Sequence, residues 1–338
     1  MNNIQQNNMH NSISIIIPTL NEEKFIAGCL DSVINQTYPL DLMDIMVIDG
    51  GSCDNTQHIV AKYQESHSNI RWINNPGKIQ SIAFNIGVSN STAPYIIRLD
   101  AHATYDKYYV EKCIDGLKAN KNIGNIGGKC LIQPANKTIW AQTNAILNHS
   151  VFGIGGAAFR VGTEAREVDS VPFGAFPRKV IEQVGGMRED LRRGEDNEYN
   201  SRIRQAGYTV FFDPSIISTY FSRPTLLTSC KQMFANGESI GTLMYIDKKA
   251  IGIRHFIPFL FVLFLIGGFI LSTLSNVILY LYLFGIGSYF ICDLIASIQA
   301  STKYGFKYIL PLFIMFFCVH ISYGLGTIKG IFSYKKSN

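Results

Sequence analysis

A strand, a polar turn and a helix follow one another three times before residue 100, and this alternation limits the possible folds more than any other feature of the chain. Ser12 to Pro18 is a β-branched run of Ile13, Ile15, Ile16 and Ile17 closed by a proline. Such an unbroken apolar run reads as a parallel strand covered on both faces. The chain then turns through Thr19, Leu20 and Asn21, with Asn21 as the expected N-cap and Glu22 and Glu23 suited to a first helical turn. Ile26, Leu30, Val33 and Ile34 supply the buried stripe of that helix. Asp44 to Asp49 is the second strand, and Asp54 is placed to cap a helix from Asn55 to Ser66. A third strand, Ile70 to Ile73, leads through Lys78 to a helix from Ile79 to Ser89, and Tyr95 to Asp100 is the fourth strand. The pattern predicts an α/β fold: an open, mostly parallel sheet with right-handed crossovers.

In such sheets ligands bind beyond the carboxyl ends of the strands. Thr19, Asp49, Lys78 and Asp100 all fall there, on separate segments. Two nucleotide-binding classes are disfavoured, because no G-x-G-x-x-G follows the first strand and no G-x-x-x-x-G-K-[ST] occurs. Asp100 and His102, two residues apart at a strand tip, point to one side and can reach one ion. A carboxylate with an imidazole suits manganese better than calcium; the alternative is a solvated Asp-Ala-His turn. A divalent cation there would neutralise a diphosphate, Lys78 would add a point charge, and Asp49 could accept from the imide N–H of a uracil. For Asp49 and Asp54 the alternative is plain turn and cap chemistry.

Four stretches in this order carry a family resemblance: Ile15 to Glu23, Asp49 to Asp54, Asp100-Ala101-His102, and Gly194-Glu195-Asp196-Asn197-Glu198-Tyr199. Together they resemble glycosyltransferase family 2 over about residues 12–245. Asp-Ala-His in place of Asp-x-Asp, with the stretch Phe152 to Arg160, is similar to the bacterial succinoglycan-type glucosyltransferases that build exopolysaccharide. The resemblance implies a GT-A fold, a nucleotide-diphospho-sugar donor, a divalent metal (Mn2+ or Mg2+) and inversion at the anomeric carbon. It implies that Pro18, Thr19, Asn21 and Glu22 line the nucleotide pocket, that Asp49 binds the base, that Asp100 and His102 hold the metal, and that Asp196 is the general base. The Q-x-x-R-W motif of processive synthases is absent. Lys231 to Glu238 stands in its place, which favours transfer of one sugar at a time.

Glu195 and Glu198 flank Asp196 and would raise its pKa by like-charge repulsion; a solvated, dipole-favoured helix start is the alternative for the Glu195-Asp196 pair. Arg192 and Arg193 read equally as diphosphate contacts or as surface charges. The glycines around Phe152 read as a mobile acceptor loop or as an ordinary turn.

The last third changes character. No charge occurs from Ile257 to Leu274, and from Ser275 to Ala300 there is only Asp293. Ile257 to Leu274, Val277 to Ile298 and Tyr308 to Ile328 each approach the length of a membrane span, in line with 47% hydrophobic residues. Lys248, Lys249 and Arg254 put the start of the first span inside, and Lys303 with Lys307 put the connection after the second inside. The basic tail of Lys329, Lys335 and Lys336 fits a third crossing badly, so either the tail lies outside against the rule or one segment is re-entrant or interfacial. The expected layout is a polar tail over 1–11, a glycosyltransferase domain over 12–245 and a membrane domain over 246–338.

The net charge of +5 lacks a dense basic run with interleaved aromatics, which disfavours nucleic acid as a partner. Seven cysteines without C-x-x-C spacing read as reduced thiols, and residues 1–11 have no apolar core of a signal peptide. The expectation is therefore a cytoplasmic-membrane protein with its catalytic domain in the cytoplasm, moving a hexose to a lipid-linked saccharide. The alternatives are a polyprenyl-phosphate sugar synthase and a non-catalytic membrane assembly module.

Overall fold

The computed structural model describes residues 13–337, so the expected polar tail over 1–11 lies outside the described residues. The strands are β1 (Ile13–Thr19), β2 (Met43–Asp49), β3 (Ile70–Asn74), β4 (Tyr95–Arg98), β5 (Ala103–Tyr105), β6 (Ile123–Gln133), β7 (Arg166–Glu167), β8 (Ala175–Pro177) and β9 (Thr209–Phe221). The helices are α1 (Ile26–Ile34), α2 (Thr56–Ser66), α3 (Gln80–Ser89), α4 (Tyr109–Ala119), α5 (Ile139–Leu147), α6 (Val151–Ile154), α7 (Ala158–Val161), α8 (Arg178–Val184), α9 (Glu195–Gln205), α10 (Leu226–Ile246), α11 (Phe256–Ser272), α12 (Asn276–Ser301) and α13 (Ile309–Ser337). The described residues form two compact units, one of residues 13–131 with 162–220, the other of 132–161 with 221–337.

In the first unit the strands run in the order β3-β2-β1-β4-β8-β6-β9-β5, with β7 beside β9. The first four are parallel, as the alternation predicts. From β4 onward the pairing turns antiparallel, so the sheet is mixed. Ile13, Ile15, Ile16 and Ile17 are fully buried. Burying each contributes about 1.5–3 kcal/mol, which explains why β1 takes the centre of the parallel half. Strand order reverses between β1 and β4, because β2 and β3 extend to one side of β1 and β4 returns to the other. That reversal opens a crevice beyond the strand ends. The register aligns Thr19 with Asp49 and Asp49 with Asn74 along its rim.

Two local expectations change. Asn21 is not an N-cap: α1 begins at Ile26, and Asn21 has a positive φ of 56°. Its side chain instead accepts from Cys53 N at 2.8 Å, while its own N–H donates to Ser52 Oγ at 2.8 Å. The fourth strand stops at Arg98, and Ala103 N donates to the Asp100 carbonyl at 3.2 Å, closing a turn. Strand alternation therefore does not apply to Asp100 and His102.

The second unit is helical. Three of its segments, Ile253–Ser272, Asn276–Ser301 and Phe306–Tyr334, are long and apolar enough to cross a membrane. Leu147, Leu312, Met315 and Phe316 form the fully buried centre of a cluster joining α5 to α13. The Phe152 to Arg160 stretch folds as α6 and α7 and is anchored here, with the Phe152 carbonyl 2.9 Å from His320 Nε2 and the Phe152 ring 5.2 Å from that of Phe316.

Helix α10 also belongs to this unit, so the packing division falls near residue 221, ahead of the expected boundary at 245. The reason is a crossing of two small-residue pairs, Gly237 and Gly241 on α10 against Gly326 and Gly330 on α13. A Cβ at Gly237 would sit 2.0 Å from the Tyr323 carbonyl oxygen, and one at Gly330 would sit 2.1 Å from that of Glu238. Overpacking typically costs about 1–3 kcal/mol, and here the obstacle is backbone, which yields less than a side chain. Gly237→Val should therefore lower the unfolding temperature of the detergent-solubilised protein clearly. Gly287→Ala, where nothing lies within 4 Å, should leave it nearly unchanged. Equal melting of the two variants would show that the crossing carries no stability.

Candidate active site

The crevice rim is built from loops that follow β1, β2 and β3. The Asp49 carboxylate accepts from Gly51 N at 2.8 Å, Ser52 N at 2.9 Å and Ser52 Oγ at 2.5 Å. Turn chemistry thus uses three of its roughly four acceptor positions, leaving about one for a ligand. The β1 loop docks on the β2 loop through Glu22 N to Thr56 Oγ1 at 2.8 Å and Glu23 N to Asp54 Oδ2 at 3.1 Å. Asp54 also accepts from Thr56 N at 3.0 Å, but the helix starts at Thr56 with Asn55 at its N-cap, one residue later than expected. Lys78 is exposed, with a positive φ of 60°. Its Cα lies 3.3 Å from where a Cβ on Gly50 would stand, which brings it to the Asp49 loop. Pro18 and Thr19 are buried in β1, and the Thr19 hydroxyl donates to the Ile17 carbonyl at 3.0 Å.

His102 and Asp100 point to different partners. His102 Nδ1 lies 3.0 Å from Glu22 Oε1. A carboxylate on one ring nitrogen fixes the tautomer and orients the other nitrogen, the arrangement that supports a metal-binding histidine. Glu22 is thereby placed on the histidine. Asp100 Oδ1 accepts from Arg98 Nη2 at 3.1 Å.

Arg98 is the residue that sequence reasoning missed. It is 4% exposed at the end of β4 and joins three carboxylates: Asp100, Asp196, hydrogen-bonded to Nη1, and Glu195 at 3.7 Å. Gln80 Oε1 takes a further bond from Nη2 at 3.3 Å. Burial opposes the charge on Arg98, but Asp196, Asp100 and Glu195 outweigh it, so the guanidinium stays charged. The available signal was an arginine within an otherwise apolar strand, two residues before Asp100.

Glu195 and Asp196 occupy the first turn of α9, after Gly194 at a φ of 82°. The Asp196 side chain is 36% exposed and that of Glu195 only 7%. Burial pushes Glu195 up to about 7, the Asp196 charge adds to this, and Arg98 opposes it. Asp196 is also raised, by burial first and by Asp100, with Arg98 pulling it down. Arg192 and Arg193 are exposed in the loop ahead of α9.

The raised Glu195 has a consequence for stability. Between about 4.5 and about 7 the folded protein keeps a proton that the unfolded chain has released, so stability falls as pH rises through that window. Glu195→Gln removes the titration. Its unfolding temperature should gain on the parent between pH 5 and pH 8, and a constant difference across that range would contradict the assignment.

Among the described residues no three His, Cys, Asp or Glu side chains converge as a self-sufficient metal centre. The donor set still fits a metal shared with phosphates, which needs only one or two protein ligands. Three carboxylates around one guanidinium leave the ionised cluster two negative charges in excess, the charge that a divalent ion at Asp100 would balance.

The profile described as Glycosyl transferase family 2 matches residues 14–185, half of the chain. The chain belongs to glycosyltransferase family 2. This glycosyltransferase is 29% identical over 336 residues to the Methanococcus voltae protein named dolichyl N-acetyl-alpha-D-glucosaminyl phosphate 3-beta-D-2,3-diacetamido-2,3-dideoxy-beta-D-glucuronosyltransferase, covering 96% of this chain and 100% of that one. It is 26% identical over 246 residues to succinoglycan biosynthesis protein ExoA of Rhizobium meliloti (strain 1021), covering 72% and 73%. The fold is that of GT-A enzymes. A mannosyltransferase from Pyrobaculum calidifontis, solved in complex with GDP-Man and Mn2+, superposes with a TM-score of 0.59 at 18% identity, over 95% of this chain and 87% of that one.

Proposed function

We propose that this glycosyltransferase is an inverting enzyme of the cytoplasmic membrane that moves a hexose from a nucleotide-diphospho-sugar to a lipid-linked saccharide. The observation that carries the reading is the Arg98 cluster, which sets the donor-side carboxylate Asp100 and the partly exposed Asp196 on one buried guanidinium. The family supplies the reaction class. The relative matched along its whole length acts, by its name, on a dolichyl-linked sugar phosphate, which favours a lipid-linked saccharide over a bare polyprenyl phosphate as acceptor.

In this reading the uracil or guanine, ribose and diphosphate lie along Thr19, Asn21, Asp49 and Lys78, with the diphosphate towards Asp100 and His102. Asp100 and His102 would hold a divalent cation, which when bound would offset negative charge on the leaving diphosphate. Asp196 takes the proton from the acceptor hydroxyl as its oxygen bonds to the anomeric carbon and the carbon–diphosphate bond breaks on the opposite face. The exposure of Asp196 supports its role over the enclosed Glu195. Arg192 and Arg193 stand near enough in sequence to meet the diphosphate or the acceptor phosphate. Helices α11 to α13 hold the enzyme in the membrane, with Lys248, Lys249 and Arg254 on the cytoplasmic side.

The test is transfer of radiolabelled sugar from a panel of UDP- and GDP-sugars into membrane lipid extracts, with manganese present. Label on a lipid already bearing sugar supports the proposal. Label on polyprenyl phosphate alone makes the enzyme a polyprenyl-phosphate sugar synthase, and no label from any donor with intact nucleotide binding makes it an assembly module.

A further inference from the structure

Arg98 touches both halves of the proposed chemistry. Its Nη2 donates to Asp100, and its Nη1 to Asp196. Glu195 adds a third carboxylate at 3.7 Å, and Nε is buried without a hydrogen-bond partner. One guanidinium is therefore shared among three carboxylates in a region from which water is largely excluded. In such a place a charge withdrawn from one partner is felt strongly by the others. Asp100 and Asp196 are 96 residues apart in sequence and sit on different elements, the turn after β4 and the start of α9. Among the described contacts, the guanidinium is what they have in common.

We propose that Arg98 is a positioning residue that couples occupation of the donor site to the placement of Asp196. The inference rests on the reading of Asp100 as a donor-side ligand. A cation with a diphosphate at Asp100 competes with Arg98 for that carboxylate. The more Asp100 gives to the cation, the more completely the guanidinium is committed to Asp196, and its planar fork orients the carboxylate that faces the acceptor. The reverse holds by linkage: whatever loosens Asp196 from Arg98 returns the guanidinium to Asp100 and weakens cation and nucleotide binding. Gln80, bonded to the same Nη2 at 3.3 Å, keeps the fork in plane while the two carboxylates share it.

The test is a double-mutant cycle on the full-length protein in detergent, read by calorimetric binding of manganese with UDP or with GDP. Asp196→Asn removes the charge that holds Nη1. It should weaken manganese–nucleotide binding about 5-fold or more, a typical lower bound for coupling between sites. In an Arg98→Lys background, whose single ammonium cannot serve both carboxylates, the same substitution should change binding less than about 2-fold. Arg98→Lys should also cut kcat for transfer more than it raises the donor KM, which a merely structural residue would not do selectively. Equal effects of Asp196→Asn in the two backgrounds, or none in either, would overturn the proposal. Should Arg98→Lys not fold, the first arm decides alone, since unchanged manganese–nucleotide affinity in Asp196→Asn is enough to reject coupling. Failure of the underlying reading looks different: the parent protein itself then binds neither nucleotide with manganese, and the coupling falls with it.

Discussion

Asp196→Asn should lower turnover by about 10²–10⁴-fold, the usual cost of losing a general base. The substitution keeps the shape of the side chain and removes its capacity to take a proton. The loss should appear in kcat far more than in donor affinity, where only the few-fold change expected through Arg98 arises. Glu195→Gln is the internal control. Glu195 is enclosed beside Arg98, whereas Asp196 is a third exposed, so on the proposed mechanism an acceptor hydroxyl would reach Asp196 rather than its neighbour. The Glu195 variant should cost much less, and mainly alter the pH dependence of stability. If Glu195→Gln proves the damaging change and Asp196→Asn the mild one, the base is misassigned by one residue. If both are mild, the displacement has no base in this turn.

Metal removal should have an effect of similar size. A chelator should abolish transfer, and excess manganese should restore it. In the proposed site Asp100 and His102 would be the only two protein ligands, so the metal's hold would depend on the diphosphate and on ligand orientation. His102→Ala should raise the manganese concentration needed for half-maximal transfer. Glu22→Gln should do so as well, by about 10–100-fold, because the 3.0 Å contact from Glu22 to Nδ1 orients the imidazole. Unfolding temperatures of both variants without metal should stay near that of the parent. Full activity of His102→Ala at limiting manganese would remove His102 from the metal site.

Much of the architecture was legible from local pattern. The isoleucine run of β1, the strand-turn-helix alternation and the three apolar segments each depend on periodicity or length within one stretch of chain, and such features survive without knowledge of the partners. The positions of Thr19, Asp49, Lys78 and Asp100 at strand ends followed from the same alternation. Tertiary structure decided what those residues do. Asn21 has the composition of a cap, yet it bridges two loops because Ser52 and Cys53 from the next crossover lie against it. Asp100 and His102 looked like a same-side pair until a turn replaced the strand and sent one to Arg98 and the other to Glu22. The only local sign of Arg98 was its place in an otherwise apolar strand, because its role comes from carboxylates brought in by α9 nearly 100 residues later. The α10–α13 crossing is similar: Gly237 and Gly241 read as ordinary helix glycines until Gly326 and Gly330 arrive against them. Sequence periodicity thus determined which elements form and which strand ends face the crevice. Long-range packing decided the charge network and the helix assignment, since the energy of a buried charge or of a close backbone contact depends on groups distant in the chain.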